Sequence, residues 1–133
     1  MQAVKFIKFA AVALFAVAAS AGAGWAFEEK PFDAKAFAAA QEAGKPVLVD
    51  AFAPWCPVCK AQQQVLGKLN EDAKYAGVTV FKIDYDTQPD ALKSLDVRKQ
   101  STLIAFKGKA ETGRSVGDTK PASIATLIDS ALN

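Results

Sequence analysis

Ala53-Pro54-Trp55-Cys56-Pro57-Val58-Cys59-Lys60 holds both cysteines of the chain, with two residues between them. Upstream, Pro46-Val47-Leu48-Val49-Asp50-Ala51-Phe52 reads as a buried strand, short, apolar and rich in β-branched side chains. Downstream, Val58, Ala61, Val65 and Leu69 recur at helical spacing. The cysteines therefore stand where a strand hands over to a helix. The first N–H groups of a helix have no partner within it, and its dipole concentrates positive charge there. A thiolate at that end is stabilised and becomes a usable nucleophile near neutral pH. Pro57 suits the first helical turn, where a missing N–H costs nothing. On this reading Cys56 is the exposed, attacking sulfur. Cys59, one turn into the helix, is the sheltered one that resolves the product.

Rival readings of the pair are weaker. A structural disulfide here would close too small a loop to stabilise much through chain entropy. A zinc site needs two more ligands, and the chain has no histidine and no third cysteine. A haem attachment needs histidine after Cys59, where Lys60 stands. Two classes remain: a redox-active dithiol, and a module that binds Cu(I), a soft ion suited to sulfur. Against the second, no histidine or methionine lies nearby, since the single methionine is Met1.

Trp-Cys-x-x-Cys-Lys after a Val-Leu-Val-Asp strand resembles the thioredoxin superfamily. It is most similar to small periplasmic thioredoxin-like proteins and to the soluble C-terminal domain of the transmembrane thiol:disulfide interchange protein. The resemblance covers about residues 32–133. It implies an α/β fold with a central mixed sheet and helices on both faces. It also implies a protein disulfide oxidoreductase whose redox centre is a Cys56–Cys59 disulfide, with no organic cofactor and no resident metal. The expected partners are protein thiols and disulfides, with a membrane thiol transporter as electron donor. No inserted helical or dimerisation domain of the kind found in dedicated oxidases and isomerases is visible. That favours a monomeric reductant or electron relay.

The same resemblance assigns individual residues. Asp50, six before Cys56, falls on a buried aspartate that takes part in proton transfer. A carboxylate in an apolar strand is anomalous, since burying it unpaired is costly. Two readings stand, an end position that reaches water and a proton acceptor beside the dithiol, whose burial would raise its pKa towards neutrality. Lys82, in the strand Val78-Thr79-Val80-Phe81-Lys82-Ile83-Asp84, falls on a lysine close to that aspartate. Read from alternation alone, it is equally an outward-facing strand lysine. Trp55, Pro57, Gln100 and Ser101 are expected to border the surface where a partner docks.

One departure is clear. The family carries a cis-proline before its third core strand, facing the disulfide. In Val97-Arg98-Lys99-Gln100-Ser101-Thr102-Leu103-Ile104 the position falls on Ser101. A cis bond before a residue other than proline costs about 2.5–4 kcal/mol, so the Gln100–Ser101 peptide is expected to be trans in an adjusted loop. The serine hydroxyl then either offers the thiolates a hydrogen bond or is simply tolerated.

Residues 1–23 have a short basic start, Lys5 and Lys8, followed by an uncharged run over 9–27 that closes with small residues. This is the layout of a secretory signal peptide, with cleavage between about 21 and 26 and a domain over 24–133. The run just reaches the roughly 20 residues of a membrane span, so an uncleaved anchor is the alternative. The alanine and glycine content favours removal. Either way the domain is placed in the periplasm or otherwise outside the cytoplasm. Lys5 and Lys8 also account for the net charge of +2, because 16 basic side chains stand against 14 acidic ones in the whole chain. The balanced remainder gives no footprint for nucleic acid.

The other elements follow from local signals. Asp33 caps a helix that runs to about Glu42, with Phe32 stapled on Phe37 and Gly44 as the stop. The helix from Pro57 is expected to run to about Tyr75, and a short one from about Pro89 to Leu95. A hairpin turns at Lys107-Gly108-Lys109, and the resemblance implies that Gly117 after it falls on a glycine near the active site, where it leaves room for a partner backbone. A last helix from about Thr119 buries Ile124, Leu127, Ile128, Ala131 and Leu132. Any strand before Phe32 is too weak to assign.

Overall fold

A computed structural model describes residues 26–133. The leader assigned to residues 1–23 lies outside them. The strands are β1 (Glu28–Pro31), β2 (Pro46–Phe52), β3 (Thr79–Asp84), β4 (Thr102–Lys107) and β5 (Ala110–Val116). They form one sheet in the order β1-β3-β2-β4-β5. β1 and β2 run parallel to β3, while β4 is antiparallel to both β2 and β5. The helices are α1 (Ala34–Glu42), α2 (Pro57–Leu69), α3 (Pro89–Ser94) and α4 (Pro121–Leu132). The mixed sheet with helices on both faces is the expected architecture.

Side-chain alternation along β2 sorts the two layers. Val47, Val49 and Ala51 join Phe37 of α1 and Leu92 of α3 on one face. Leu48 joins Leu66 of α2 and Ile124 and Ile128 of α4 on the other. Asp50 has the parity of Leu48, so it faces α2. Complete burial of a leucine or isoleucine side chain contributes about 1.5–3 kcal/mol, and Leu48, Leu66, Ile124 and Ile128 are all essentially inaccessible. This pins α2, and the dithiol at its start, against the sheet.

Local signals behave as expected at α1. The Asp33 carboxylate accepts the Ala36 N–H at 2.8 Å, and the Phe32 and Phe37 rings pack at a tilt with centroids 5.3 Å apart. The β4–β5 turn places Gly108 at φ +56°, a conformation that costs glycine little.

Four expectations change. β1 exists although its sequence, Glu-Glu-Lys-Pro, carries no apolar pattern; backbone pairing to β3 holds it, with buried Phe27 and Phe32 at its two ends. The helix from Pro57 stops at Leu69, not near Tyr75, because Asn70 turns inward and its side chain accepts the Phe27 N–H. Asp72 then caps a separate 3-10 turn, Ala73–Tyr75. On α2 the buried line is Cys59, Gln62 and Leu66, while Val58 is exposed and Ala61, Val65 and Leu69 lie half-buried at the flank. On α4, Leu132 is exposed at the end of the chain, beyond the reach of the sheet.

Candidate functional site

β2 delivers the chain to Phe52, and a turn closed by the Cys56 N–H on the Ala53 carbonyl starts α2. Cys56 is the N-cap, with extended backbone, and Pro57 is the first helical residue. The Cys56 sulfur accepts the backbone N–H of Cys59 at 3.1 Å. Both cysteines are free thiols, and they form a small apolar cluster with Ala53, against Phe52 and Tyr85. Cys56 is not the exposed sulfur expected from sequence: it is 3% accessible against 2% for Cys59. Trp55, Pro57 and Val58 are exposed beside them. The Trp55 indole donates to the Asp86 carboxylate. With accessibility nearly equal, the surroundings of each sulfur separate the two. Burial, reinforced by the hydrogen bond with Cys56, pushes the Cys59 thiol up to about 11, although backbone groups of Ala53 and Ser101 oppose this. Cys56 has an N–H donor and a helix N-terminus to hold a thiolate.

Behind the sulfurs, Asp50 and Lys82 are direct neighbours in the β2–β3 register. Asp50 is completely buried, which removes the reading of a carboxylate that reaches water. Burial pushes its carboxyl up to about 6, while a hydrogen bond from Gln63 and the Lys82 charge pull it down and the Glu29 charge adds a smaller upward push. Lys82 turns inward. Its ammonium donates to Gln63 Oε1 at 2.9 Å and sits 5.1 Å from the centre of the Phe52 ring.

This burial has a cost with a defined pH window. An unfolded Asp50 titrates near 3.8 and the folded one near 6. Between these values the folded state binds the extra proton, so stability falls as pH rises through the window and levels off above it. The change amounts to about 3 kcal/mol. Asp50→Asn is therefore expected to stabilise the fold by up to about that much at pH 7.5 and by little at pH 4. Urea unfolding at the two pH values checks it; an equal gain at both would mean that charge burial is not the cause.

Ser101 ends the loop before β4, and no described peptide bond is cis. The trans expectation holds, and the adjustment is specific: Ser101 adopts φ +59°. Its N–H donates to the Ala51 carbonyl at 2.8 Å, and its carbonyl accepts from the Gly117 N–H at 2.9 Å. The Gln62 amide donates to the same Ser101 carbonyl at 3.1 Å and to the Asp118 carbonyl at 2.9 Å. Two carbonyl acceptors dictate which end of the Gln62 amide faces them. The Ser101 hydroxyl donates to the Gln100 carbonyl at 2.5 Å, so it is not the thiolate donor considered from sequence. Gln100 is half-exposed at the rim. Gln62 and Gln63 were missed in the sequence reading, yet they lie three and four residues after Cys59, the spacing that shares a helix face.

A thioredoxin family model matches residues 28–130. The chain is 34% identical to the chloroplastic M-type thioredoxin of Zea mays, over 63% of this chain and 50% of that protein. It is 36% identical to the thiol:disulfide interchange protein DsbE of Pasteurella multocida, over 68% of this chain and 47% of that protein. It thus spans about half the length of these two relatives. The solved structure of Trxlp from Edwardsiella tarda EIB202 is 40% identical, superimposes with a TM-score of 0.73, and is covered over 98% of its length by 76% of this chain. The family match opens on the first residue of β1 and ends inside α4, taking in every strand and the dithiol between them: the chain belongs to the thioredoxin family, whose members are thiol–disulfide oxidoreductases.

Proposed function

We propose that the chain exchanges thiols and disulfides outside the cytoplasm and works as a reductant or electron relay. The observation that carries this reading is the contrast at the start of α2: one sulfur set on a helix N–H, the other held as a thiol one turn further in. The Cys56 thiolate attacks a partner disulfide, and its S–S bond breaks to release one partner thiolate. A mixed disulfide joins Cys56 to the other partner sulfur. Cys59 then gives up its proton, to Asp50 in its ionised form, and attacks the Cys56 sulfur. The second partner thiolate leaves. The partner has gained two electrons, and the chain holds a Cys56–Cys59 disulfide. No organic cofactor enters. Lys82 supports the charge on Asp50, and Trp55, Pro57, Gln100 and Ser101 border the docking surface.

The secretory layout of residues 1–23 and the relative named as an interchange protein support the compartment. An oxidising compartment drives a dithiol to the disulfide unless electrons are supplied. A membrane thiol transporter meets that need. Equilibration with glutathione is expected to give a potential near −270 mV, roughly that of reducing thioredoxins, and the reduced chain should reduce insulin. A potential near −120 mV, roughly that of strong oxidants, would reverse the assigned direction. Cu(I) binding without insulin reduction would favour metal carriage instead.

A further inference from the structure

Gln63 lies on the buried side of α2, four residues after Cys59, and both ends of its amide are engaged. Its Nε2 donates to Asp50 Oδ2 at 2.5 Å, and its Oε1 accepts from Lys82 Nζ at 2.9 Å. An ammonium has only protons to offer, so Oε1 must face Lys82 and Nε2 must face Asp50. Asp50 Oδ1, in contrast, is buried and makes no hydrogen bond with the protein.

We propose that Gln63 is a positioning residue for the exchange reaction: its amide fixes the Asp50 carboxyl and links it to Lys82, leaving Oδ1 as the atom that takes up the proton. The inference rests on Asp50 as the proton acceptor. A side-chain N–H can bond only to an oxygen with a free lone pair, so Oδ2 keeps its partner both when Asp50 is ionised and when Oδ1 carries the proton. The bond is stronger to the ionised form, which the amide therefore favours. Lys82 reinforces this through the amide, without an Asp50–Lys82 hydrogen bond. Its far side borders a groove of about 420 Å³ that Glu29, Phe52, Asp84 and Gln88 also line. Gln63 thus spans from a fully buried acid to a half-buried base.

The groups around Asp50 leave few other candidates for this task. β3 presents Lys82, with Asp84 along the same groove, and β1 presents Glu29, whose charge opposes ionisation. α2 contributes Gln63, with the Cys59 thiol one turn earlier and Cys56 at its N-cap. β4 sets apolar Leu103 opposite Asp50. Among the described residues Gln63 makes the one hydrogen bond that Asp50's side chain accepts.

Two variants test this in the full domain. Gln63→Met keeps the length and removes the donor. Gln63→Glu replaces the donor with a carboxylate that pairs with Lys82 and repels Asp50. Carboxyl 13C titration by NMR reads Asp50 directly, and the pH profile of insulin reduction reads the exchange. Gln63→Met is expected to raise the Asp50 midpoint by about one pH unit, which lowers the ionised fraction at pH 6 roughly fivefold. Gln63→Glu should raise it further, and the pH profile should follow both. A midpoint that stays in place or falls in Gln63→Met overturns the assignment. Raised midpoints with an unmoved pH profile would support Gln63 as the residue that sets Asp50 and overturn Asp50 as the proton acceptor.

Discussion

Cys59→Ser is expected to leave the chain covalently attached to its partners, and Cys56→Ser is expected to leave it free. The first variant keeps the sulfur that caps α2 and removes the one that completes the exchange, so the reaction halts at the mixed disulfide. The second keeps only the thiol that burial pushes up, so little of it is thiolate near neutral pH. Both variants should lose insulin reduction to background. Non-reducing gels after incubation with a disulfide-bearing partner, followed by mass spectrometry, separate them. Adducts on Cys59 in the Cys56→Ser variant would reverse the roles. Because the two sulfurs are almost equally accessible, this outcome rests on the helix N-terminus at Cys56 and the desolvation of Cys59, not on access.

Ser101→Pro should lower stability by at least about 3 kcal/mol. Restoring the residue that the family carries here would ordinarily look harmless. Proline fixes φ near −65° and has no N–H, whereas Ser101 sits at φ +59° and donates to the Ala51 carbonyl. The substitution orphans a buried strand carbonyl, which alone costs about 1–3 kcal/mol. It also forces the loop to rebuild, taking with it the Ser101 carbonyl that Gln62 and Gly117 share. Ser101→Gly is the control. Glycine accepts the positive φ and keeps the N–H, so its stability should stay within about 1 kcal/mol of the original. Urea midpoints for the two variants check the pair. A Ser101→Pro protein as stable as the original would show that the loop has a second, proline-compatible conformation of nearly equal energy.

The residues legible in the sequence are those whose burial contradicts their surroundings. Asp50 stands out as a charge among Val47, Leu48 and Val49, and the two cysteines stand out at a strand-to-helix junction. Gln62 and Gln63 do not, because glutamine on a helix is ordinary on a solvated face. Only their offset from Cys59 marks them, and an offset carries weight once the helix has a known buried side. The positive φ of Ser101 is equally hidden, since serine is not a residue that announces a left-handed backbone. Cys56 was expected to be exposed because reactivity suggests access. Of the apolar side chains packed on the sulfurs, Phe52 and Ala53 are close in sequence, but Tyr85 comes from the segment after β3, and no local pattern encodes that contact.

The parallel pairing of β1 with β3 bears on the order in which the chain can assemble. Glu28 has no strand to join until Thr79 has been made, and β3 in turn pairs with β2 along its other edge. The β4–β5 hairpin, by comparison, joins neighbours across Gly108 and can close quickly. The earliest of the described strands in chain order is therefore among the last able to settle, on the rim of a sheet whose centre is already paired. In the finished protein its amides should be among the first to open and exchange with deuterium, well before those of β2, which is paired on both sides.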